Sequence, residues 1–243
     1  MSFRFLLFIF VPFCLAQINT ESMRNVELEN GWGHSFSYHL TYHSGNTNFS
    51  KYKTQFRTNY KKDVIYCFIV GRYEKGKKDE TLFLHRGFLH FRLIRKLALW
   101  VSLECFAQEE FNDFINLKNR EILGAGGRFK WHPHEQFTAF LGVGLMKENE
   151  EFTSGESAKL LRSTNYLTLK WHSGKITFGS TEYFQLDTGN FSDFRILSQN
   201  ELNVSLFKNF EITTQFNLRY DSIPPTEIES LDMEISNGFR LSF

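Results

Sequence analysis

The chain has no excess charge, few cysteines and, beyond its first residues, no long apolar run, and each absence removes a class of protein. Twenty-eight Lys and Arg stand against 27 Asp and Glu, a formal charge of +1, so no global field points to nucleic acid or to an acidic partner. Of the three cysteines, Cys14 falls in the opening apolar run. Cys67 and Cys105 each sit inside an alternating pattern and read as small apolar residues, because one pair is no disulfide scaffold. Past residue 16 no segment has the length and apolarity of a membrane-spanning helix, which takes roughly 20 residues. Nothing in the composition marks a linker between halves, so the expectation is one large domain.

What the chain has in quantity is aromatic side chains. They make up 17 % of residues, 28 of them Phe, more than a soluble β-sandwich of this size needs, whereas a wall facing lipid uses them in its apolar band and interfacial girdles. Residues 1–16 read as a secretory signal: Arg4, an apolar run from Phe5 to Leu15, and a cut after Ala16. Removing it takes Arg4 away and leaves 27 bases against 27 acids. A lipoprotein reading through Cys14 meets Phe13 where a small residue belongs. The polar stretch 17–31 reads as a flexible periplasmic lead-in, and 32–243 as the folded domain.

The closing stretch sets the pattern. Leu231, Met233, Ile235, Phe239, Leu241 and Phe243 alternate with Asp232, Glu234, Ser236, Gly238, Arg240 and Ser242, the period of two of a β-strand. A strand that ends on a bare Phe is an edge prone to aggregate, and closing the sheet removes the edge. Strands read in the same way over 32–43, 51–60, 81–93, 97–107, 117–129, 137–145, 162–171, 175–185, 193–206 and 211–220, and an apolar run at 64–73 adds one more. That makes about twelve strands, an even number, each near the 9 to 11 residues, roughly, that cross a bilayer at a tilt. The links sort by parity. Those at 61–63, 94–96, 172–174 and 207–209 are short, with 130–136 of middling length, and those between them are longer, including charged loops at 74–80 and 147–161. Short periplasmic turns and long extracellular loops are the pattern of an outer-membrane barrel. The stretch 64–73 is apolar on both parities, so its outward face is left unassigned.

Three segments carry a family likeness: the corner Tyr42-His43-Ser44-Gly45-Asn46-Thr47, the strand Leu123-Gly124-Ala125-Gly126-Gly127-Arg128, and the closing strand. Together they make the chain, over 32–243, resemble the uncharacterised family of salt-induced outer-membrane proteins, domain of unknown function 481. The tail Ser236 to Phe243 also resembles the C-terminal signal of bacterial outer-membrane barrels. The resemblance implies an outer-membrane β-barrel, with the tail addressed to the barrel-assembly machinery. It supplies no activity, so no functional residue is carried over.

Several constellations invite chemistry. Gly124-Ala125-Gly126-Gly127 has no helix and no Lys-Ser/Thr after it, so it reads as a strand where the wall bends or a large neighbour crowds in, not as a phosphate cradle. His132-Pro133-His134-Glu135 offers imidazoles two apart but no further metal ligand, and reads as a turn. If a turn at 94–96 pairs Leu93 with Leu97, His85 lies opposite Cys105 on the lipid side, a minimal activated nucleophile that would suit a lipid-acting enzyme. No third group orients it.

The polar face is the better candidate. Arg57, Arg86, Arg120, Arg128, Arg162, Arg195, Glu201, Arg219, Glu234 and Arg240 fall on it as lumen-lining residues. With Lys53, Arg92 and Lys170 there too, bases outnumber the acids Glu104, Glu201, Glu211, Asp232 and Glu234, and arginines in a pore favour anions. The expectation is an all-β chain, a single transmembrane antiparallel up-and-down β-barrel of about 12 strands in the bacterial outer membrane, partnered by lipid and not by nucleic acid, with no catalytic residue, metal or cofactor. Its interior is either a narrow channel for small, anionic solutes or a plug of mutually neutralising charges. A lipid-acting barrel enzyme and a secreted soluble β-barrel binding an apolar ligand are the competing readings. The soluble barrel requires the aromatic face to point inward.

Overall fold

Alternating β-branched, aromatic and polar residues favour a pleated surface with two chemically distinct faces, and the chain forms twelve strands of this kind. The structure is a computed structural model and describes residues 30–45, 48–79, 81–207, 210–224 and 228–241. The expected signal segment 1–16, the expected lead-in up to residue 29, Asn46 and Thr47 of the first corner motif, Lys208 and Asn209, and the terminal Ser242 and Phe243 lie outside the described residues.

The strands are β1 (Gly31–His43), β2 (Phe49–Lys62), β3 (Ile65–Lys78), β4 (Thr81–Lys96), β5 (Val101–Asn112), β6 (Leu117–His134), β7 (Phe137–Phe152), β8 (Ser157–Ser173), β9 (Ile176–Asp187), β10 (Phe194–Phe207), β11 (Phe210–Asp221) and β12 (Leu231–Leu241). They form one sheet in chain order, each antiparallel to the next, the up-and-down topology of a β-barrel. The sheet curls on itself, since Arg72 of β3 lines the same interior space as Thr168 of β8 and Gln215 of β11. Among the described residues β1 and β12 are not paired with each other.

The links at one end are short, at 63–64, 97–100, 135–136, 174–175 and 208–209. Those at the other end range from two residues at 79–80, through 113–116 and 153–156, to 188–193 and 222–230, so the expected sorting of links by length holds only in part. Asp63 (φ 51°) and Gly174 (φ 56°) supply the left-handed backbone that two-residue hairpin turns need.

Three expected links are corrected. The segment 74–80 is not a loop, because β3 runs through Lys78 and its last residues pair with β4. The segment 147–161 is mostly strand, because β7 continues to Phe152 and β8 begins at Ser157. The β4–β5 turn lies at 97–100, not at 94–96, and this moves the whole register of that hairpin.

Burial is inverted relative to a soluble domain. Leu123 (67 % exposed) and Leu145 (52 %) face outward, as do Leu89, Phe91, Leu103, Leu141 and Val143, while Glu148 (0 %) and Arg162 (1 %) are sealed inside. The unassigned strand resolves in the same sense. Ile65 and Ile69 of β3 point out, and Phe68 and Val70 pack within. All four tryptophans sit at the short-turn end: Trp32 opens β1, Trp100 lies in the 97–100 turn, and Trp131 and Trp171 near the ends of β6 and β8. From Trp131 outward to Glu121 is ten steps along β6. At about 3.3 Å per residue and a tilt of roughly 40° this gives an apolar band near 25 Å tall.

The Gly-rich strand behaves as a place of close packing. The Phe106 ring occupies the space above Gly124, and Gly126 faces Gly144 of β7 so closely that an added Cβ on Gly126 would stand 2.5 Å from the Val143 carbonyl oxygen and 2.8 Å from the Gly144 Cα. Backbone cannot yield as a side-chain tip can. Gly126→Val should therefore lower unfolding stability in urea by about 1–3 kcal/mol, whereas the same change at Gly179, with open space at its Cβ position, should cost visibly less.

Candidate functional site

Charged side chains forced to the inner face must find partners there, because an ion buried alone is far costlier than one that is paired. The inner face of the outer half meets this demand with one continuous belt. Register sets Arg120 of β6 between Glu110 of β5 and Glu150 of β7, and Arg195 of β10 opposite Asp221 of β11.

Glu148 of β7 is the hub, receiving Arg120 (3.0 Å), Arg162 (2.8 Å) and Arg195 (2.7 Å). Arg120 also pairs with Glu110 and Glu150. Arg195 reaches Glu150 at 3.2 Å and Asp221 at 2.8 Å. Arg162 grips Asp193 in the 188–193 loop with two parallel bonds, Nη1 to Oδ1 at 2.8 Å and Nη2 to Oδ2 at 2.9 Å, the bidentate geometry that makes arginine the preferred partner. The belt continues toward the short-turn end. Gln108 donates to Glu110 at 2.9 Å, Gln108 and His90 meet at 3.0 Å, Arg92 lies 3.3 Å from His90, and Arg92 donates to Glu104 at 2.9 Å. Arg128 stands 3.8 Å from Glu104, with its guanidinium 3.7 Å from the centroid of the Phe140 ring.

The space enclosed by this belt is only about 60 Å³. The short-turn half of the interior differs. There a cavity of about 710 Å³ is lined by hydroxyls and amides, among them Thr168, Thr181, Gln199, Asn203 and Gln215, with Arg72, Lys170 and Glu201 as its charges.

Among the residues whose side chains are described, those expected to line the lumen fall on the inner face by register. Arg120, Arg162 and Arg195 are in the belt and Arg128 borders it. Arg57 donates to Asn59 (2.8 Å) and to the Tyr66 hydroxyl (3.0 Å), and Arg86 pairs with Glu74 at 3.0 Å. Glu201 accepts from Asn203 (2.6 Å) and Gln215 (2.8 Å). Arg219 is half-buried opposite Asp232, Glu234 is exposed opposite Asn217, and Arg240 stands opposite Glu211 in the ladder.

Glu110, Glu148 and Glu150 belong to the site although sequence reading left them in loops. The signal was present: Gly142, Gly144, Met146, Glu148 and Glu150 continue one parity, and charge alone broke the strand assignment early. With these acids inside, the excess of bases does not hold for the outer half. It holds on the β2–β3 wall, where Lys51, Lys53, Arg57, Lys61 and Arg72 share the inner face with the single carboxylate Glu74.

The His85–Cys105 pair does not form. Cys105 stands opposite Leu93, and His85 lies 2.6 Å from Asp113 Oδ2 beside the Phe111 ring. The physical reason is the displaced turn. His132 Nδ1 lies 2.8 Å from Thr138 Oγ1, and among the described residues no group of three or more His, Cys, Asp and Glu comes together that could hold a metal ion.

The profile of the family described as "Protein of unknown function, DUF481" matches residues 36–243. No functionally curated protein matches the chain. Fifteen chains of solved structures do. Among them the NanC porin is 7 % identical with a TM-score of 0.50, over 87 % of this chain and 99 % of that one, a likeness of fold.

Removing the hub of the belt strands three buried guanidiniums. Glu148→Ala should destabilise the protein by about 3–5 kcal/mol, read as a shift of the urea unfolding midpoint, while Glu151→Ala, whose carboxylate is half exposed and paired with Lys118, should leave the midpoint within about 1 kcal/mol of the parent.

Proposed function

The chain belongs to the DUF481 family of proteins of unknown function, and on that footing we propose that it is an outer-membrane β-barrel of narrow-channel type. It is exported by the segment 1–16, delivered to the assembly machinery through the strand Ser236 to Phe243, and passes small solutes, anions among them. The observation that carries this reading is the inversion of burial along the sheet, with an apolar outer band bounded by tryptophans and charges held within. A soluble barrel binding an apolar ligand needs the opposite arrangement, and a lipid-acting enzyme loses its candidate nucleophile with the separation of His85 from Cys105.

Passage is limited at the outer half, where the belt leaves little room, and opens into the larger polar cavity below. The belt carries its own counter-charges, so it selects by size. Preference for anions resides on the β2–β3 wall, where Lys53, Arg57 and Arg72 meet few acids. A second reading, a barrel that only spans and does not conduct, draws on the same belt, which closes the outer half if it never loosens.

Two measurements test the proposal. In fractionated cells the protein should remain with the outer membrane and require detergent for extraction, and recovery in a soluble fraction would end the membrane reading. In planar bilayers the purified protein should conduct in small steps with anion preference. Arg72→Glu with Lys53→Glu should abolish or reverse that preference, and zero conductance would leave the non-conducting barrel as the reading.

A further inference from the structure

The outward face is not uniformly apolar. On β4 to β7 it shows Leu89, Phe91, Leu103, Leu123, Leu141 and Leu145, with Lys147 facing outward opposite Leu123 near the outer rim. On β9 and β10, by contrast, register places Glu182 opposite Ser198 and Ser180 opposite Asn200, all four on the side away from the charged interior. Glu182 lies midway along β9, between the outward Phe178 and Phe184, with Leu167 of β8 beside it.

The Ser180 and Ser198 hydroxyls both donate to the same carboxylate oxygen, Oε1, at 3.0 and 2.9 Å, and the Asn200 amide donates to Ser198 Oγ at 2.9 Å. Among the described residues no donor reaches Oε2, and the one Lys, Arg or His on the outward faces of β8 to β11 is Lys159, eight residues along β8 from the Leu167 that stands beside Glu182. If this face met acyl chains, an acceptor-only oxygen would stand in hydrocarbon without a hydrogen bond, which is costly at that depth.

We infer that the β8–β10 face is a self-association surface, where Glu182 Oε2 of one copy accepts a hydrogen bond from the Asn200 amide of a second copy. This rests on the membrane reading proposed above. A second copy fits because the patch holds both halves of the required chemistry. Glu182 supplies the unsatisfied acceptor. Asn200 has a second N–H beyond the one given to Ser198. Two copies inserted in the same direction and related by a two-fold axis along the membrane normal make the contact twice, the isologous arrangement that cyclic dimers favour. Polar side chains joining apolar surfaces within a bilayer are a general device for association where the hydrophobic effect supplies no drive.

The test uses the full exported protein, extracted in mild detergent and weighed by native mass spectrometry. The parent should have at least twice the mass of one chain. Glu182→Leu and Ser198→Leu should each fall to the single-chain mass while keeping the heat-modifiable gel mobility of a folded barrel, and Glu182→Gln, which keeps hydrogen-bonding capacity, should retain the oligomer. In intact membranes, Asn200→Cys in a Cys67→Ser, Cys105→Ser background should give a disulfide-linked dimer on oxidation, a readout that detergent cannot disturb. A parent of single-chain mass that also fails to cross-link in membranes overturns the inference, as does an oligomer unchanged by both leucine substitutions or a partner of a different mass on the parent. All of these presuppose recovery from the outer membrane, so a soluble protein would count against the membrane reading and not against this surface alone.

Discussion

The structure depends on one constraint: a sheet that turns its apolar side chains outward must satisfy its charged ones against each other. In water an arginine can solvate itself. At Arg162, 1 % exposed, it has to be met by carboxylates whose positions are set by strand register, and here Glu148 and Asp193 meet it. The ladder therefore does more than join neighbours. By fixing which residue stands opposite which, it decides whether each buried charge is paired, and a slip of one residue along β7 would carry Glu148 and Glu150 to the outside.

This constraint divides the interior. Where acids and arginines alternate in register, across β5 to β8 and β10 to β11, they draw together and close the space. Where the inner face carries Thr, Gln and Asn, as along β8 to β11 toward the short turns, there is no comparable attraction and the cavity stays wide. The glycines serve the closed part. Gly124, beneath Phe106, and Gly126, against Gly144, let β6 and β7 come near enough to share the belt. Outside, the same wall shows Leu123, Leu141, Val143 and Leu145, and the polar cluster around Glu182 on β9 and β10 departs from that pattern.

Most of this architecture was legible in the sequence because a period of two is a direct projection of strand geometry. The alternation at Phe36, Tyr38 and Leu40, or at Leu141, Val143 and Leu145, specifies a strand and its outward face at once, and the short links located one end of the sheet. The misreadings arose where a second signal competed. Charge in Lys147-Glu148-Asn149-Glu150-Glu151 reads as a solvated loop unless the parity of the preceding glycines is carried through it, so the acids that define the belt were placed outside it. The turn at 97–100 was displaced because Leu97 and Leu99 continue an apolar alternation that the backbone does not follow. Both errors concern strand ends, where local composition and long-range pairing disagree and pairing prevails. The balance of the belt was illegible for the same reason: it exists only once β7 is extended.

The central claim is that the apolar face meets lipid and the charged face a water-filled or ion-paired interior. The most direct measurement places single cysteines, in a Cys67→Ser, Cys105→Ser background, at Leu123, Leu145, Thr181 and Gln199, attaches a nitroxide to each, and compares collision with oxygen dissolved in the bilayer against collision with a water-soluble nickel chelate. The account predicts oxygen-dominated collision at 123 and 145, and chelate access with little oxygen at 181 and 199. The reverse pattern, with the leucine positions shielded from the bilayer and the threonine and glutamine positions greasy, would contradict it.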